Sequence, residues 1–373
     1  MKRVVFITPS LKLGGAERSL VKTVVAIREF VEGVDVIVMS SASTEMIAEI
    51  PEGTTLHVLG CCTSASPLGW IRARRLLRSL KPHAVVGWST YANLFAITVT
   101  RGLDIPLLAV SERNYFPEIV SAADVSFSRR YLMVLLMRTL YRKADVVTAN
   151  SYDSLRFLKK FLGRGPQYAQ LPNTISVEEA NVCAQVIPEV VPKPFDGPRL
   201  LAIGRLQPQK GFDLLLKALA EVRMLHPWHL VLVGDGPQRA ALQTLARRLN
   251  IEHAIQWIST VRNPFPYYQW ADLIIIPSRF EGFPNVALEA MSCGKTVICS
   301  NCKTGPKELT CDGRFGVLVP AGDTTALARA IIDWGSDPDR RTLMGSKAHD
   351  HICAVYDIGR MREVIARALS LAA

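Results

Sequence analysis

The strongest constraint on the fold is an alternation of short apolar, β-rich runs with helical segments, which occurs twice along the chain. Residues 4–8 form a buried-strand run, and a glycine loop and an apolar-periodic helix over residues 16–30 follow it. Similar runs recur, and the alternation restarts near residue 200. Apolar strands separated by helices are typical of a parallel sheet covered on both faces. The sequence therefore predicts two doubly wound α/β domains.

A segment without clear periodicity separates the two alternations. Residues 176–198 are rich in Pro, Glu and Val, a composition typical of a linker. We therefore expect an N-terminal domain over residues 1–180 and a C-terminal domain over residues 199–373, with the last helix able to pack back on the first domain. A length of 373 residues fits two domains of about 100–200 residues each. A ligand would bind at the carboxyl ends of the strands, in a cleft between the domains.

The composition indicates a globular protein with an anionic partner. Hydrophobic residues make up 49% of the chain and charged residues 21%, which excludes a disordered or fibrous protein. The net charge of +11 favours nucleic acid, acidic lipid or a phosphorylated small molecule as partner. Residues 1–192 carry +6 and residues 193–373 carry +5, so the chain has no basic tail of the kind that binds nucleic acid.

Neither a membrane span nor a metal site is predicted. The N-terminal apolar run is too short for a signal peptide, and no segment reaches the roughly 18 apolar residues of a transmembrane helix. We expect a cytoplasmic protein, soluble or peripheral on the membrane, with its eight cysteines as free thiols. Cys299 and Cys302 have C-x-x-C spacing and Cys311 is nearby, but no fourth zinc ligand stands at the usual spacing.

The first candidate binding segment is a glycine pair after the first strand. Gly14 and Gly15 allow close approach of a ligand to the backbone and lie at a helix N-terminus, where amide groups attract anions. The segment lacks the G-x-G-x-x-G pattern of a dinucleotide site. A tight turn between strand and helix is the alternative interpretation.

The second candidate segment carries two cations in a loop after a strand. Arg205 and Lys210 lie in the sequence Gly-Arg-Leu-Gln-Pro-Gln-Lys-Gly, between a strand and an apolar helix. An arginine fork and a lysine point charge on one loop can converge on a diphosphate. Solvated surface charge is the alternative.

The third candidate segment carries two carboxylates near the start of a helix. Glu281 follows the strand over residues 273–276, and Glu289 lies over one turn into the next helix, which Pro284 would open. Backbone amides around Phe283 and Asn285 suit phosphate oxygens. A helix-capping acid and a surface acid are the alternative.

Together these segments resemble retaining glycosyltransferases of family 4, which have the two-domain GT-B fold. Glu281 and Glu289 match the E-x7-E motif of that family, and Arg205 and Lys210 match its diphosphate-binding pair. The segments at residues 233–237 and 305–308 also look like family segments, whereas residues 40–190 carry the resemblance weakly. The resemblance implies two Rossmann-like domains that face each other across a cleft, as in transferases that build bacterial surface polysaccharides and lipid-linked oligosaccharides.

The resemblance also implies roles for individual residues. Arg205 and Lys210 would stabilise the charge of the leaving nucleotide, Glu281 would contact the donor sugar, and Glu289 would bind the ribose. The catalytic residues would then be Glu281, Arg205 and Lys210. The donor, a nucleotide sugar that is a co-substrate and not a bound cofactor, would contact Gly14, Gly15, Arg205, Lys210, Trp257, Ile258, Gly282, Phe283, Pro284, Asn285, Val286 and Glu289.

One departure from the family pattern concerns the N-terminal domain. Many relatives place a histidine near the donor sugar, whereas this chain has Ser-Glu-Arg-Asn at residues 111–114. That form resembles members that often use N-acetylhexosamine donors. Glu112, Arg113 and Asn114 are therefore candidates for contact with the reacting sugars, and a structural role for Glu112 or Arg113 is the alternative.

Two basic segments indicate where an acidic acceptor would approach. Residues 129–143 place an apolar stretch between basic ends, and residues 70–81 combine a tryptophan with five basic side chains. Such segments suit an anionic membrane surface, where a polyprenyl-diphosphate-linked acceptor would be held. Helices packed in the core with basic ends are the alternative.

The leading hypothesis is thus transfer of a hexose or N-acetylhexosamine, with retention, from a nucleotide sugar, for which the resemblance implies UDP, to a lipid-linked or polysaccharide acceptor. A nucleotide-sugar epimerase of the same architecture is the alternative enzyme, and it would need no acceptor. A nucleic-acid-binding protein is disfavoured because no element is evident that would enter a groove.

Overall fold

The computed structural model of the chain describes residues 2–12, 14–61, 66–117, 127–223 and 226–372. Within these ranges the side chains of residues 127, 129 and 130 are not described.

The chain divides into two compact units. The first comprises Met1–Thr174 and Ile358–Ala373, and the second comprises Ile175–Asp357. Residues 176–198, which the sequence predicts as a linker, belong to the second unit, and the C-terminal helix belongs to the first. Backbone pairing at the boundary explains both assignments. The Ile175 amide, at the start of the second unit, donates to the carbonyl of Tyr356, near the end of that unit, at 3.1 Å. The chain therefore enters and leaves this unit side by side.

The first unit contains a parallel sheet whose seven described strands have the order β3-β2-β1-β4-β5-β6-β7. Its central strands are buried on both faces, since the side chains of residues 4–7 and 84–86 are fully covered. The strands are β1 (Arg3–Thr8), β2 (Gly33–Val38), β3 (Thr54–Val58), β4 (Ala84–Trp88), β5 (Leu107–Glu112), β6 (Val146–Ala149) and β7 (Gln167–Gln170).

Helices cover both faces of this sheet, and the apolar sides of the first and last of them pack together with strand β1 in one core. They are α1 (Gly15–Ile27), α2 (Thr44–Ala48), α3 (Pro67–Leu80), α4 (Thr90–Thr100), α5 (Phe127–Leu140), α6 (Tyr152–Leu162) and, after the second unit, the C-terminal helix (Ile358–Ala368).

The second unit contains a parallel sheet of six described strands in the order β10-β9-β8-β11-β12-β13. The strands are β8 (Arg199–Ile203), β9 (His229–Val233), β10 (Ile255–Ile258), β11 (Leu273–Ile276), β12 (Thr296–Asn301) and β13 (Val317–Pro320). The helices are α7 (Val177–Ala184), α8 (Phe212–Arg223), α9 (Arg239–Arg248), α10 (Phe265–Trp270), α11 (Asn285–Ser292), α12 (Pro306–Leu309), α13 (Thr324–Gly335) and α14 (Pro338–Val355), so the C-terminal helix is α15.

The predicted fold of two doubly wound parallel sheets is confirmed. In each sheet, strand order reverses beside the first strand of the unit, so a crevice forms at the carboxyl ends of the strands. In the second unit this crevice lies between β8 and β11, and the loops that follow these two strands carry Arg205, Lys210 and Glu281. Among the described residues, no helix is both long and apolar enough to cross a bilayer.

Candidate active site

The loops after β8 and β11 touch each other because a glycine lies where they cross. Gly211 has a φ of +66°, and a Cβ atom built on it would lie 2.1 Å from the carbonyl oxygen of Pro277. No side chain fits in that space, and the left-handed conformation is itself unfavourable for other residues. Gly211 thus lets the Lys210 loop lie directly against the Glu281 loop.

We expect Gly211→Ala to destabilise the second unit by about 3 kcal/mol or more, because the new methyl group must displace backbone. Gly294→Ala is the matched control. Its φ of +68° imposes the same conformational cost, but its nearest neighbour would be 4.0 Å away, so only about 1 kcal/mol is expected. Urea unfolding monitored by circular dichroism measures both values, and equal losses would contradict the close-contact argument.

Glu281 is a buried carboxylate that three side chains hold in place. It is 5% exposed, and its Oε1 atom accepts hydrogen bonds from Lys210 Nζ at 2.7 Å and Ser278 Oγ at 2.6 Å. Thr304 Oγ1 donates to the Glu281 carbonyl oxygen. A buried charge is stable only when it is paired and hydrogen-bonded. These contacts therefore hold the Glu281 carboxylate in one orientation.

A second set of contacts clamps the two loops together beside this ion pair. Gln209 Nε2 donates to the Phe280 carbonyl at 3.0 Å, and the Arg279 amide donates to the Gln209 carbonyl at 2.8 Å. Arg279 also forms a bidentate pair with Asp213, with both distances 2.8 Å. Hydrogen bonds from Arg279 lower the pKa of Asp213. These bonds hold the two loops together and do not involve the side chains of Glu281 or Lys210.

Glu289 lies on α11 and is also buried, with 7% of its surface exposed. The Tyr268 hydroxyl donates to its Oε2 atom at 2.8 Å. Helix α11 begins at Asn285, one residue after the predicted start at Pro284. Gly282, Phe283 and Pro284 are buried and Asn285 and Val286 half-buried in the segment that leads from Glu281 into this helix.

The remaining predicted residues of the second unit are more exposed or lie in a strand. Arg205 is exposed and forms no ion pair with any described residue, so its guanidinium can accept an incoming anion. Trp257 and Ile258 end strand β10. The indole N–H of Trp257 is buried without a hydrogen-bond partner among the described residues.

The structure places the predicted residues of the first unit at the carboxyl ends of β1 and β5. Gly14 has an extended backbone with φ of −169°, and α1 begins at the exposed Gly15. Asn114 is exposed after β5. The position of these residues at strand ends is typical of a ligand crevice.

Glu112 is enclosed by protein, with 1% of its surface exposed. It accepts hydrogen bonds from Asn93 and Thr90, each at 2.9 Å, and from the Tyr141 hydroxyl. Burial raises its pKa to about 7. These contacts support the structural alternative for Glu112, because its carboxylate oxygens are already engaged.

Arg113 is likewise 4% exposed and engaged by protein. It donates to the Leu171 carbonyl at 2.9 Å, to Ser19 Oγ at 2.6 Å and to Asn173, and it stacks 4.4 Å above the Trp88 ring centroid. Burial lowers its pKa to about 9. Arg113 therefore ties β5, α1 and the segment after β7 together, which again supports a structural role over sugar contact.

The raised pKa of Glu112 predicts a pH-dependent stability. In the folded chain the Glu112 carboxyl stays protonated up to about pH 7, whereas in the unfolded chain it stays protonated only up to about pH 4.5. Folding is thus favoured at low pH, and unfolding free energy falls by about 3 kcal/mol as the pH rises across that window. We expect Glu112→Gln to flatten this slope, and Glu49→Gln, at an exposed position, to leave it unchanged. Urea unfolding at several pH values measures this dependence, and equal slopes for the native chain and Glu112→Gln would refute the prediction.

Potential metal ligands do not gather in the described part of the chain: no group of three His, Cys, Asp or Glu side chains comes together there. Cys299 and Cys302 are buried, and burial raises the pKa of the Cys302 thiol to about 12. Both are therefore inert thiols packed in the second unit.

Comparison with known families agrees with this geometry. The profile of the group 1 glycosyl transferases matches residues 185–351, and the glycosyl transferase 4-like domain matches residues 14–174. The two matches span both units. The chain belongs to glycosyltransferase family 4. It is an enzyme, and its fold is GT-B, so the predicted family and fold are confirmed.

Relatives of this glycosyltransferase include enzymes of bacterial glycan assembly. It is 26% identical over 358 residues to an N-acetylgalactosamine-N,N'-diacetylbacillosaminyl-diphospho-undecaprenol 4-alpha-N-acetylgalactosaminyltransferase of Campylobacter jejuni, covering 91% of this chain and 92% of that protein. It is 25% identical to the lipopolysaccharide core biosynthesis glycosyltransferase LpsD of Rhizobium meliloti, covering 89% and 88%. The structure of Anabaena HepE in complex with UDP-glucose matches with a TM-score of 0.80 at 21% identity, covering 99% and 100%.

Several residues of the glycosyltransferase site were not predicted from the sequence. Ser278 lies in the same segment as Glu281, and its position directly after a strand is a usable signal. Thr304 and Gln209 also lie in loops after strands, β12 and β8, but the sequence does not show that they contact the Glu281 segment. Tyr268 lies on α10, and the sequence carries no signal for its contact with Glu289.

Proposed function

We propose that this glycosyltransferase moves a hexose or N-acetylhexosamine from a UDP-sugar to a lipid-linked oligosaccharide or polysaccharide acceptor, with retention at the anomeric carbon. The observation that carries the proposal is the buried Glu281 carboxylate paired with Lys210 at 2.7 Å. A carboxylate held in one orientation beside a cation is suited to a sugar joined to a diphosphate, which presents hydroxyl donors next to negative charge.

The diphosphate would bind Arg205 and Lys210. The Lys210 ammonium has three N–H donors, so it can keep its bond to Glu281 while it donates to a phosphate oxygen. Arg205 supplies a planar fork from the same loop. As the glycosidic bond breaks, negative charge grows on the leaving diphosphate, and these two cations stabilise it. The proposal thus needs no divalent metal.

The nucleoside would be held at the ends of β10 and α11. A carboxylate accepts hydrogen bonds from the two hydroxyls of a ribose, and Glu289 is buried and oriented by Tyr268. The base would lie near Trp257 and Ile258. Gly15 and Asn114 of the first unit are proposed to contact the phosphate or the donor sugar.

The proposed acceptor follows from the named relatives and from the charge of the first unit. The Campylobacter relative is named for an undecaprenyl-diphosphate-linked acceptor. Helix α3 of this chain carries Arg72, Arg74, Arg75 and Arg78 and no acidic residue. On α5, Tyr131, Leu132 and Leu135 are exposed, while the side chains of Arg129 and Arg130 lie outside the described residues. We propose that these helices rest on the anionic cytoplasmic face of a membrane.

The test is a panel of UDP- and GDP-sugars, screened first by thermal stabilisation and then with lipid-linked acceptors. One UDP-sugar should stabilise the protein and yield a product whose anomeric coupling constant shows the configuration of the donor. Inversion would overturn the retaining assignment, and stabilisation by GDP-sugars alone would overturn the assignment of UDP. A new sugar isomer formed from the donor without acceptor would indicate the epimerase instead.

A further inference from the structure

A cavity in the first unit lies apart from the residues assigned to donor binding, although Trp70, Leu140 and Lys143 of its lining belong to the two basic segments described above. Its volume is about 460 Å³, within the usual range for small-ligand sites. Leu108 is the second residue of β5, and Asp145 directly precedes β6, so the cavity lies at the amino-terminal edge of the sheet. The Gly14 and Asn114 segments lie at the opposite edge. The cavity is therefore no extension of the proposed transfer site.

Most of the cavity wall is apolar. Side chains from α4, from the loop before β5 and from the end of α5 line it, as does Trp70 of α3. The two threonines in the wall do not make it polar, because Thr98 and Thr100 donate their hydroxyl protons to carbonyls within α4. Such a wall favours hydrocarbon over a sugar or a nucleotide. The apolar lining residues are Trp70, Ile97, Leu103, Ile105, Leu108 and Leu140.

Positive charge borders the same cavity. Arg101 and Lys143 line it, are exposed, and form no ion pair with any described residue. Asp145 is the one acid among the lining residues, and its carboxylate accepts the Leu108 amide at 2.7 Å. Asp104 lies in the same loop but does not line the cavity. The lining thus keeps a net positive charge, which favours an anionic group at the opening.

Trp70 is held in place where the cavity meets the surface. The Arg74 guanidinium lies 4.9 Å from its ring centroid and donates to the carbonyls of Val99 and Arg101. Next to Trp70 on α3, Leu68 is 66% exposed and Ile71 is 41% exposed. Exposed apolar side chains with tryptophan and arginine on one helix are typical of a surface that enters the lipid interface.

We propose that this cavity binds the hydrocarbon chain of an anionic membrane lipid, with the lipid phosphate on Arg101 and Lys143. The site would anchor the membrane-facing surface of α3 and α5 proposed above, and it is distinct from the donor site. It rests on residues that the proposed transfer reaction does not use.

The test uses dodecyl phosphate below its critical micelle concentration as the probe, with inorganic phosphate as the comparison, in isothermal titration calorimetry on the full chain. Dodecyl phosphate should bind saturably at one site, and inorganic phosphate at the same concentration should not. Equal binding of the two probes would overturn the proposal, because the apolar wall would then contribute nothing.

Two pairs of variants locate the site. Thr98→Trp fills the cavity from an exposed helical position and should weaken the binding of dodecyl phosphate at least tenfold. Thr139→Trp, on α5 at an equally exposed position with the same kind of hydroxyl bond, should not. The double change R101E/K143E should also weaken it at least tenfold, while K159E/K160E, which alters net charge equally on exposed α6 positions, should not.

Circular dichroism melting shows whether each variant is folded. Unchanged affinity in folded Thr98→Trp and R101E/K143E would overturn the proposal, and Lys210→Met should bind the probe normally. Sedimentation with phosphatidylglycerol vesicles then tests the membrane source of the ligand, for which R101E/K143E should weaken vesicle binding and K159E/K160E should leave it unchanged. Transfer to a water-soluble acceptor is assayed separately, so failure of lipid binding and failure of the proposed function are distinguishable.

Discussion

Replacing Glu281 by glutamine is expected to lower kcat at least about 100-fold while the protein still binds the nucleotide. The substitution keeps the shape of the side chain but removes the negative charge that Lys210 and Ser278 hold in place. The loss should fall on kcat, because the carboxylate is proposed to contact the sugar and not the nucleoside. Steady-state kinetics with the donor identified by the panel, together with calorimetry of UDP binding, measure the two effects.

Two further variants show whether the position of this carboxylate matters. Ser278→Ala removes one hydrogen bond to Glu281 and should cost about tenfold in kcat, since one buried hydrogen bond to a charge contributes about 1.5–3 kcal/mol. Glu221→Gln makes the same chemical change on the exposed side of α8 and should leave kcat unchanged. Near-native activity of Glu281→Gln would remove Glu281 from the mechanism.

Replacing Lys210 by methionine is expected to lower kcat/KM for the donor about 100-fold or more. The loss has two sources, because the diphosphate loses a cation and Glu281 loses the partner of a buried ion pair. Lys217→Met, at an exposed position on α8, is the matched control and should behave as the native enzyme in the same kinetic assay.

The double variant K210M/E281Q separates these two sources. Lys210→Met should also reduce stability, because an unpaired buried carboxylate is costly. The double variant, which also lacks the Glu281 charge, should recover part of the melting temperature lost in Lys210→Met but none of the lost activity. Recovery of activity in the double variant would show that Lys210 acts only by stabilising the fold, and would contradict its proposed contact with the diphosphate.

The sequence was informative wherever local pattern and chain topology coincide. Apolar runs at regular intervals predicted both parallel sheets, and cations or carboxylates directly after β8 and β11 predicted the elements of the site. Lys210 and Glu281 are 71 positions apart, yet adjacent parallel strands bring their carboxyl ends to one edge. For this reason two loops chosen from sequence alone prove to be in contact.

The boundaries between the units were less accessible to sequence reasoning. The proline-rich composition of residues 176–198 indicated a linker, but α7 packs within the second unit and Ile175 pairs with Tyr356 near the end of that unit. Such pairing between distant segments leaves no local periodicity. The same holds for α15, whose apolar face is completed only by the core of the first unit.

Local periodicity in the sequence by itself determined the doubly wound fold, and the resemblance of its motifs to family 4 implied the family and the candidate roles of Glu281, Glu289, Arg205 and Lys210. Only the tertiary structure decided that Ser278 and Thr304 hold Glu281 and that Glu112 and Arg113 are occupied by protein partners. It also showed a mostly apolar cavity beside Trp70, with Arg101 and Lys143 at its border. The physical reason is that periodicity depends on neighbours along the chain. The burial of a polar side chain and its hydrogen-bond partners depend on which distant segments pack over it.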